Sequence, residues 1–431
     1  MWQVSGLLES RHFFATDIKL MRQALLNRFL RYVKQDTQAD PNSLSVPSSQ
    51  GQVAFASQLQ QELLELGFDD VFLSESCCLY AKLPANTAKV PAIGFLAHMD
   101  TAADYSGAGV KPRVIADYQG QVIELEQGEE LSPEQFPSLL NYLNKTLITA
   151  DGTTLLGADD KAGIAEIITA LHYLLQHPEI PHGEINLCFT PDEEIGRGTD
   201  GLDLERFGAD WAYTVDGGAV GELQYENFNA ATAVITARGN NCHPGSAYGV
   251  MVNALTMAAR FHARMPLNDA PETSQGFQGF FHLLSMEGQT EEASLVYLIR
   301  DFDRAQFEQR KTWLQESVAK CNAELQAGSL EICISDSYYN MKDCILPVPH
   351  VTDIACQAME MANITPDIKP IRGGTDGAQL SWKGLPCPNL FAGGHNFHGK
   401  HEYVCLESME KGGRGDHQYR QVNDPEIRRV T

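Results

Sequence analysis

Leu25, Leu26, Phe29, Leu30 and Val33 recur at the spacing of one helix face, and Phe55, Leu59, Leu63 and Leu66 repeat the pattern just before Gly67. Apolar positions at three- and four-residue intervals predict amphipathic helices, and a glycine after the last of them is a stop signal. Two helices therefore open the chain. The pattern then shortens to apolar runs of strand length, Val71 to Leu73, Leu79 to Leu83 and Ile93 to Ala97, the last leading into His98-Met99-Asp100-Thr101. From Tyr105 to Lys145 the prolines Pro112, Pro133 and Pro137 discourage long regular elements, so this stretch reads as an elaborated loop. Leu147 to Leu156 carries Asp151-Gly152 between two apolar arms, which predicts a hairpin. It delivers the chain to Gly157-Ala158-Asp159-Asp160-Lys161-Ala162-Gly163, after which Ile164, Ile167, Ile168, Leu171 and Leu175 form a buried helix face. A strand from Ile185 to Phe189 ends in Thr190-Pro191-Asp192-Glu193-Glu194-Ile195-Gly196, and another from Trp211 to Val215 ends in Asp216-Gly217-Gly218. Strands alternating with helices, with reactive side chains just past the strand ends, mark an α/β sheet whose ligands gather at its carboxyl edge.

From about Asn227 the periodicity changes. Ala231 to Ala237 alternates, Val252, Leu255, Ala259 and Phe261 follow a helical period, Phe277 to Met286 and Ala293 to Ile299 read as strands, and a charged helix from Arg304 to Leu325 precedes a strand from Leu330 to Ile334. That β-α-β-β-α-β order is ferredoxin-like and describes a smaller α+β domain, residues 227–340, inserted into a larger α/β domain of mixed sheet and flanking helices, residues 1–226 and 341–431. The larger domain resumes with a helical period over Val351 to Met361, a strand-like Ile368 to Ile371, the turn Arg372-Gly373-Gly374-Thr375-Asp376-Gly377 into a short helix, and a last strand, Asn389 to Ala392. No internal repeat or low-complexity tract is visible.

The chain has 431 residues, 43% of them hydrophobic, enough for two or three domains with a true core. Its formal charge of −24 disfavours nucleic acid and anionic membrane surfaces as partners. No apolar run is long enough to span a membrane, and the first residues lack the pattern of a secretory signal. The ten cysteines are scattered, with no Cys-x-x-Cys pair, and point to a reducing cytoplasm without a disulfide framework. Met21, where the helical period begins, reads as a plausible start, with Met1 to Leu20 as a leader.

The strand ends concentrate His98 and Asp100, Asp159 and Asp160, Glu193 and Glu194, Asp216, and a cluster of His395, His398 and His401. Taken singly, each is ordinary: a turn-forming aspartate, a helix cap, a surface histidine. Together, imidazole and carboxylate without thiolate suit zinc, manganese or cobalt(II), and this many donors can hold a pair of ions. A carboxylate shared by two cations about 3.5 to 4 Å apart is the arrangement that activates a water for attack on a carbonyl. Adjacent glutamates at a strand end permit one to hold metal while the other moves protons.

On Phe95 to Thr101, Leu156 to Gly163, Phe189 to Gly196, Val215 to Gly218 and Gly394 to Glu402, the chain resembles the M20 clan of dinuclear zinc peptidases. Tyr225 to Ala230, Asp336 to Met341 and Ile371 to Ser381 are similar to that clan's tripeptide aminopeptidases, and the resemblance covers roughly Met21 to Lys411. It implies a cytoplasmic enzyme that removes the N-terminal residue of tripeptides and uses two zinc ions per chain, with manganese or cobalt(II) as substitutes. Asp159 would bridge the ions, His98 and Asp216 would complete one site, and Glu194 and His398 the other. Glu193 would be the general base, and Asp100 would take a hydrogen bond from the second ring nitrogen of His98. His243, in the inserted domain, would stabilise the oxyanion, and Arg372 would grip the peptide carboxylate, with a structural salt bridge as its competing role. The inserted domain would be a lid and a homodimer surface. Another amide hydrolase of the clan, a dipeptidase or N-acyl amino-acid deacylase, is the alternative; a non-catalytic peptide-binding protein is disfavoured by the presence of both Asp159 and Glu193.

The clan's pattern continues after Lys411 as an apolar-faced helix, whereas Gly412 to Thr431 here is polar and glycine-rich, so a frayed tail is expected.

Overall fold

The computed structural model describes residues 19–88, 90–266 and 268–412. The leader, apart from Lys19 and Leu20, and the tail beyond Gly412 lie outside the described residues.

By internal contacts the chain divides into two units, Met1–Tyr225 with Cys344–Lys369 and Thr375–Thr431, and Glu226–Asp343 with Pro370–Gly374. The larger unit opens with helix α1 (residues 19–32) and α2 (Gln50–Leu66). Leu25, Phe29, Phe55, Leu59 and Leu63 are buried in one cluster, as their spacing predicts. Gly67, at φ 87°, takes the left-handed conformation that ends α2, which costs a residue without Cβ nothing.

The strands β1 (Asp69–Leu73), β2 (Leu79–Leu83), β3 (Ile93–His98), β6 (Ile185–Thr190), β7 (Trp211–Gly217), β8 (Glu222–Gln224), β13 (Asp367–Ile368) and β14 (Asn389–Phe391) form an eight-stranded mixed sheet in the order β1-β2-β6-β3-β7-β14-β8-β13. Its centre, β6-β3-β7-β14, is parallel. Every residue of β3 and β6 is buried, the consequence of near-continuous apolar sequence on strands covered from both sides. On one face Ile164, Ile167, Ile168 and Leu171 of α3 (Ala158–Gln176) pack with Phe95, Leu187 and Tyr213. On the other, Leu96 and Cys188 meet Phe207, Leu380 and Leu385. The approach of α3 to the sheet depends on Gly163, where an added Cβ would lie 2.0 Å from the Val215 carbonyl oxygen.

A second sheet, in the order β15 (Gly394–His395), β16 (Tyr403–Cys405), β5 (Leu147–Thr149), β4 (Arg113–Ile115), joins the loop after β14 to the elaborated loop before α3. Here the sequence reading needs correction, because Leu147 to Leu156 is not a hairpin. β5 pairs with β16 and β4 instead. The Asp151 side chain is buried and occupied locally, its Oδ1 accepting from Thr153 N (2.8 Å) and Thr153 Oγ1 (2.6 Å) and its Oδ2 from Lys111 Nζ (2.9 Å). A side chain that captures its own backbone two residues on makes an Asx turn, which competes with a two-residue hairpin loop.

The smaller unit runs β9 (Asn229–Arg238), α4 (Ala254–His262), β10 (Phe280–Gly288), β11 (Glu292–Asp301), α5 (Arg304–Glu324), β12 (Ser329–Tyr338), the β-α-β-β-α-β order of a ferredoxin-like domain. Its sheet is antiparallel, ordered β10-β11-β9-β12. Alternation along β9 and β11 sends Ala233, Ile235, Leu295 and Tyr297 onto one face, where Met257, Phe261, Phe307, Leu314 and Val318 of the helices cover them. Pro370–Gly374 groups with this unit because Ile371 N bonds Glu226 O (2.8 Å) and Ile371 bridges Asn227. Among the described residues no helix is long and apolar enough to cross a membrane.

Candidate active site

Parallel strands β3, β6 and β7 end at the same edge of the large sheet, and the side chains just past those ends converge. His98 closes β3 and is buried. Its Nε2 lies 2.8 Å from Asp159 Oδ1 and 3.5 Å from Asp216 Oδ1, at the start of α3 and the end of β7. Its Nδ1 turns the other way, 3.1 Å from the Asp100 carbonyl oxygen and 3.3 Å from Asp100 Oδ1. Asp159 Oδ2 faces a different group: His398 Nε2 lies 3.2 Å from it and 3.1 Å from Glu194 Oε2. Two donor sets result, His98-Asp159-Asp216 and Asp159-Glu194-His398, with ligand atoms within 4.8 Å of one another in each and Asp159 common to both.

The electrostatics follow from crowding carboxylates in a buried place. Burial and the Asp159 carboxylate push Glu194 up to about 7, and the same two causes push Asp216 up to about 6. Burial pushes Glu193 well above its ordinary value, with help from Asp216 and Asp376 and against the pull of His98. Burial acts on Asp159 as well, but hydrogen bonds from His398 and His98 outweigh it and hold that carboxyl below the usual range. Bonds to Asp159 and Glu194 carry His398 up to about 11. Such a pocket is strongly negative, and Glu194 Oε1 is buried with no hydrogen-bond partner among the described residues. An orphaned buried carboxylate oxygen is costly unless something positive meets it. Oxygen and imidazole donors, a shared carboxylate and this unmet oxygen together fit a pair of divalent cations.

Not every histidine of the C-terminal cluster joins the site. The His395 ring bonds the Tyr142 hydroxyl and stacks on Tyr403, and burial lowers its pKa to about 4. His401 packs against Phe136 and lies 3.6 Å from Glu129. Asp160 is buried behind the site, accepting from His98 N and Gly163 N at 3.2 Å each. His243 and Arg372 belong to the smaller unit. His243 is exposed and its Nδ1 accepts from Gly245 N (3.1 Å). The Arg372 guanidinium donates to the Gly276 and Gln278 carbonyls and to Ser274 Oγ, and lies over the Phe228 ring.

Other residues at the site had no signal in the chain's periodicity. Asp192, in the left-handed region at φ 57°, accepts from Ser48 N (2.8 Å), the Ser48 hydroxyl and Gln52 Nε2 (2.7 Å), while its own N–H donates to Gln52 Oε1 (3.0 Å). These bonds pin the turn before Glu193 to the first turn of α2, 140 residues earlier. Asp376 is buried and accepts from Thr190 Oγ1 (2.8 Å) at the end of β6. The acidic turn did hint at Asp192, but its partners lie too far away in sequence for spacing to reveal.

The chain is similar to known proteins over most of its length. A profile of Peptidase family M20/M25/M40 matches residues 151–415. Peptidase T of Shewanella sediminis is 67% identical over 391 residues, covering 91% of this chain and 96% of that one. The crystal structure of aminopeptidase PepT from Bacillus cereus superposes with a TM-score of 0.73 at 26% identity, covering 93% of this chain and 98% of that one. The YXEP protein of Bacillus subtilis, described as a dinuclear metal binding peptidase, shares the fold at a TM-score of 0.63 and 12% identity, covering 93% of this chain and 98% of its own.

Proposed function

The chain belongs to Peptidase family M20/M25/M40, and from that premise we propose that it is a dinuclear metallo-aminopeptidase that removes the N-terminal residue of tripeptides. The observation that carries the proposal is Asp159 presenting one carboxylate oxygen to each of two donor sets. The names of its relatives, peptidase T and aminopeptidase PepT, favour free N-termini as substrates.

In this reading His98 and Asp216 would hold one ion, Glu194 and His398 the other, and Asp159 would contribute to both. Zinc suits the nitrogen and oxygen donors, and manganese or cobalt(II) would substitute. When bound, such a pair lowers the pKa of a water and polarises the scissile carbonyl. The remaining work falls to side chains. Glu193 accepts a proton as the water oxygen adds to the carbonyl carbon, then returns it to the departing amide nitrogen as the carbon–nitrogen bond breaks. Burial raises the Glu193 carboxyl above its ordinary value, the direction that strengthens it as a base. Asp100 holds His98 by its second ring nitrogen and leaves Nε2 facing Asp159 and Asp216, where an ion would bind. His243 is assigned to the oxyanion and Arg372 to the peptide carboxylate, with the smaller unit as lid and homodimer surface. For Arg372 this means exchanging some carbonyl partners for a charged one, a favourable trade for a guanidinium. A cytoplasmic enzyme with no nucleic-acid or membrane partner is consistent with a formal charge of −24.

Turnover of tripeptides, dipeptides and N-acyl amino acids, measured side by side, tests the substrate class. Tripeptides with a free amino group should be cleaved fastest and amino-blocked tripeptides left intact. Preference for dipeptides or acylated amino acids would move the chain to another amide-hydrolase specificity.

A further inference from the structure

Asp159 and His398 reach the site on separate segments, and one buried side chain ties those segments together. Glu402 is 1% exposed. Its Oε2 accepts the backbone N–H groups of Leu156 and Gly157, both at 2.7 Å, and its Oε1 accepts that of Asp159 at 3.1 Å. These amides lead into α3, where the first N–H groups of a helix have no partner within it. Glu402 satisfies one of these, that of Asp159, together with the two amides of Leu156 and Gly157 just ahead of the helix, through charge-assisted bonds.

Glu402 is itself firmly mounted. Its N–H donates to Gly399 O (3.1 Å), closing the turn that begins one residue after His398, and its carbonyl accepts from Thr149 Oγ1 (3.1 Å). The next residue, Tyr403, pairs with Thr149 on one side and His395 on the other. The loop bearing Asp159 and the turn that directly follows His398 are therefore fastened to the same residue.

We propose that Glu402 is a positioning residue of the metal centre, setting the placement of Asp159 relative to His398 through the backbone amides of residues 156, 157 and 159. The inference rests on the dinuclear reading given above. It differs from a purely structural role in what it affects: loss of Glu402 should change ion binding beyond what lost stability explains, because Asp159 serves both sites.

The test uses the full chain and cobalt(II) as probe. Wild type, Glu402→Gln, Glu402→Ala and Leu63→Ala are compared by thermal melting, by calorimetric cobalt titration and by the visible absorption of the bound ion. Leu63 is a buried residue in the last turn of α2 and belongs to neither donor set, and its truncation lowers the melting temperature without altering a ligand loop. Glu402→Gln keeps one oxygen for Leu156 and Gly157 but turns an amide donor toward Asp159 N. Its cobalt affinity should fall about 10- to 100-fold, with an altered absorption band, while Leu63→Ala keeps wild-type affinity and spectrum. Glu402→Ala should lose more, and if it does not fold the glutamine variant carries the comparison alone. Wild-type affinity and spectrum in Glu402→Gln, or an affinity loss matched by Leu63→Ala at equal stability, would overturn the role of Glu402 and leave the dinuclear reading standing. A wild-type chain that takes up fewer than two ions would overturn both.

Discussion

The Asp100 carboxylate holds Glu193 by its backbone: Asp100 Oδ1 accepts the Glu193 N–H at 3.0 Å while Oδ2 accepts that of Glu194 at 3.1 Å. The residue in contact with His98 thus also fixes the backbone of Glu193, the proposed base, and of Glu194, a proposed ligand. Asp100→Asn replaces one acceptor oxygen by a donor facing an N–H, so the Glu193–Glu194 turn must shift. Turnover should fall about 10- to 100-fold, as for other partners of ligating histidines, with the loss in kcat rather than KM. Steady-state kinetics on a tripeptide check this, and an unchanged kcat would remove Asp100 from the machinery.

Glu193→Gln isolates proton transfer from ion binding, since Glu193 lies in neither donor set. Turnover should drop by about 10²- to 10⁴-fold, the range general acid–base groups supply, with bound metal unchanged by elemental analysis. A near-wild-type rate would show that another group moves the proton.

Gly163 offers a test that acts through the backbone and not through a ligand side chain. An alanine there would place Cβ 2.0 Å from Val215 O and 2.5 Å from Asp160 Oδ1, so α3 must move off β7. Since Asp159 lies in the first turn of α3 and Asp216 is the last residue but one of β7, that movement separates two residues of one donor set. Gly163→Ala should cost about 1–3 kcal/mol of stability and weaken one ion site more than the other. Denaturant melts and ion titrations read the two effects, and wild-type stability would mean that the helix yields more easily than the packing suggests.

Glu62 supplies a pH signature outside the site. Burial pushes its carboxyl up, but bonds from Arg28 Nε and the Tyr32 hydroxyl, both 2.8 Å, and the Arg31 charge outweigh it and hold Glu62 below its ordinary value of 4.5. A depressed folded-state pKa stabilises the fold above the unfolded value and loses that contribution as pH falls through the folded one. Glu62→Gln should therefore cost about 1–3 kcal/mol at pH 7, with the gap to wild type closing as pH is lowered through and below 4.5. A constant gap across the titration would deny the Glu62 charge that role.

How far the sequence foretold this structure depends on how local each cause is. Helix faces such as Phe55-Leu59-Leu63 and buried strands such as Ile93–His98 are written in short-range periodicity, and strand ends mark where His98, Glu194 and Asp216 gather. The choice among His395, His398 and His401 is not local. It is settled by Tyr142 and Phe136, which claim the first and third rings from another segment. Asp151 fails as a hairpin turn for a similar reason, because Lys111 and Thr153 occupy its carboxylate. The grip of Ser48 and Gln52 on Asp192 spans too much chain for any pattern to show. Pro370–Gly374 likewise groups with the smaller unit through its pairing with Glu226 and Asn227, beyond what a linear boundary could indicate.

Ion stoichiometry in single-ligand variants bears most directly on the shared role of Asp159. Elemental analysis and calorimetric titration of wild type, His398→Ala and Asp159→Ala should give two divalent ions per chain, then one, then neither at wild-type affinity, with chelator abolishing tripeptide turnover and metal add-back restoring it. A wild-type chain that binds one ion, or an Asp159→Ala chain that keeps one at full affinity, would contradict a centre built on that carboxylate.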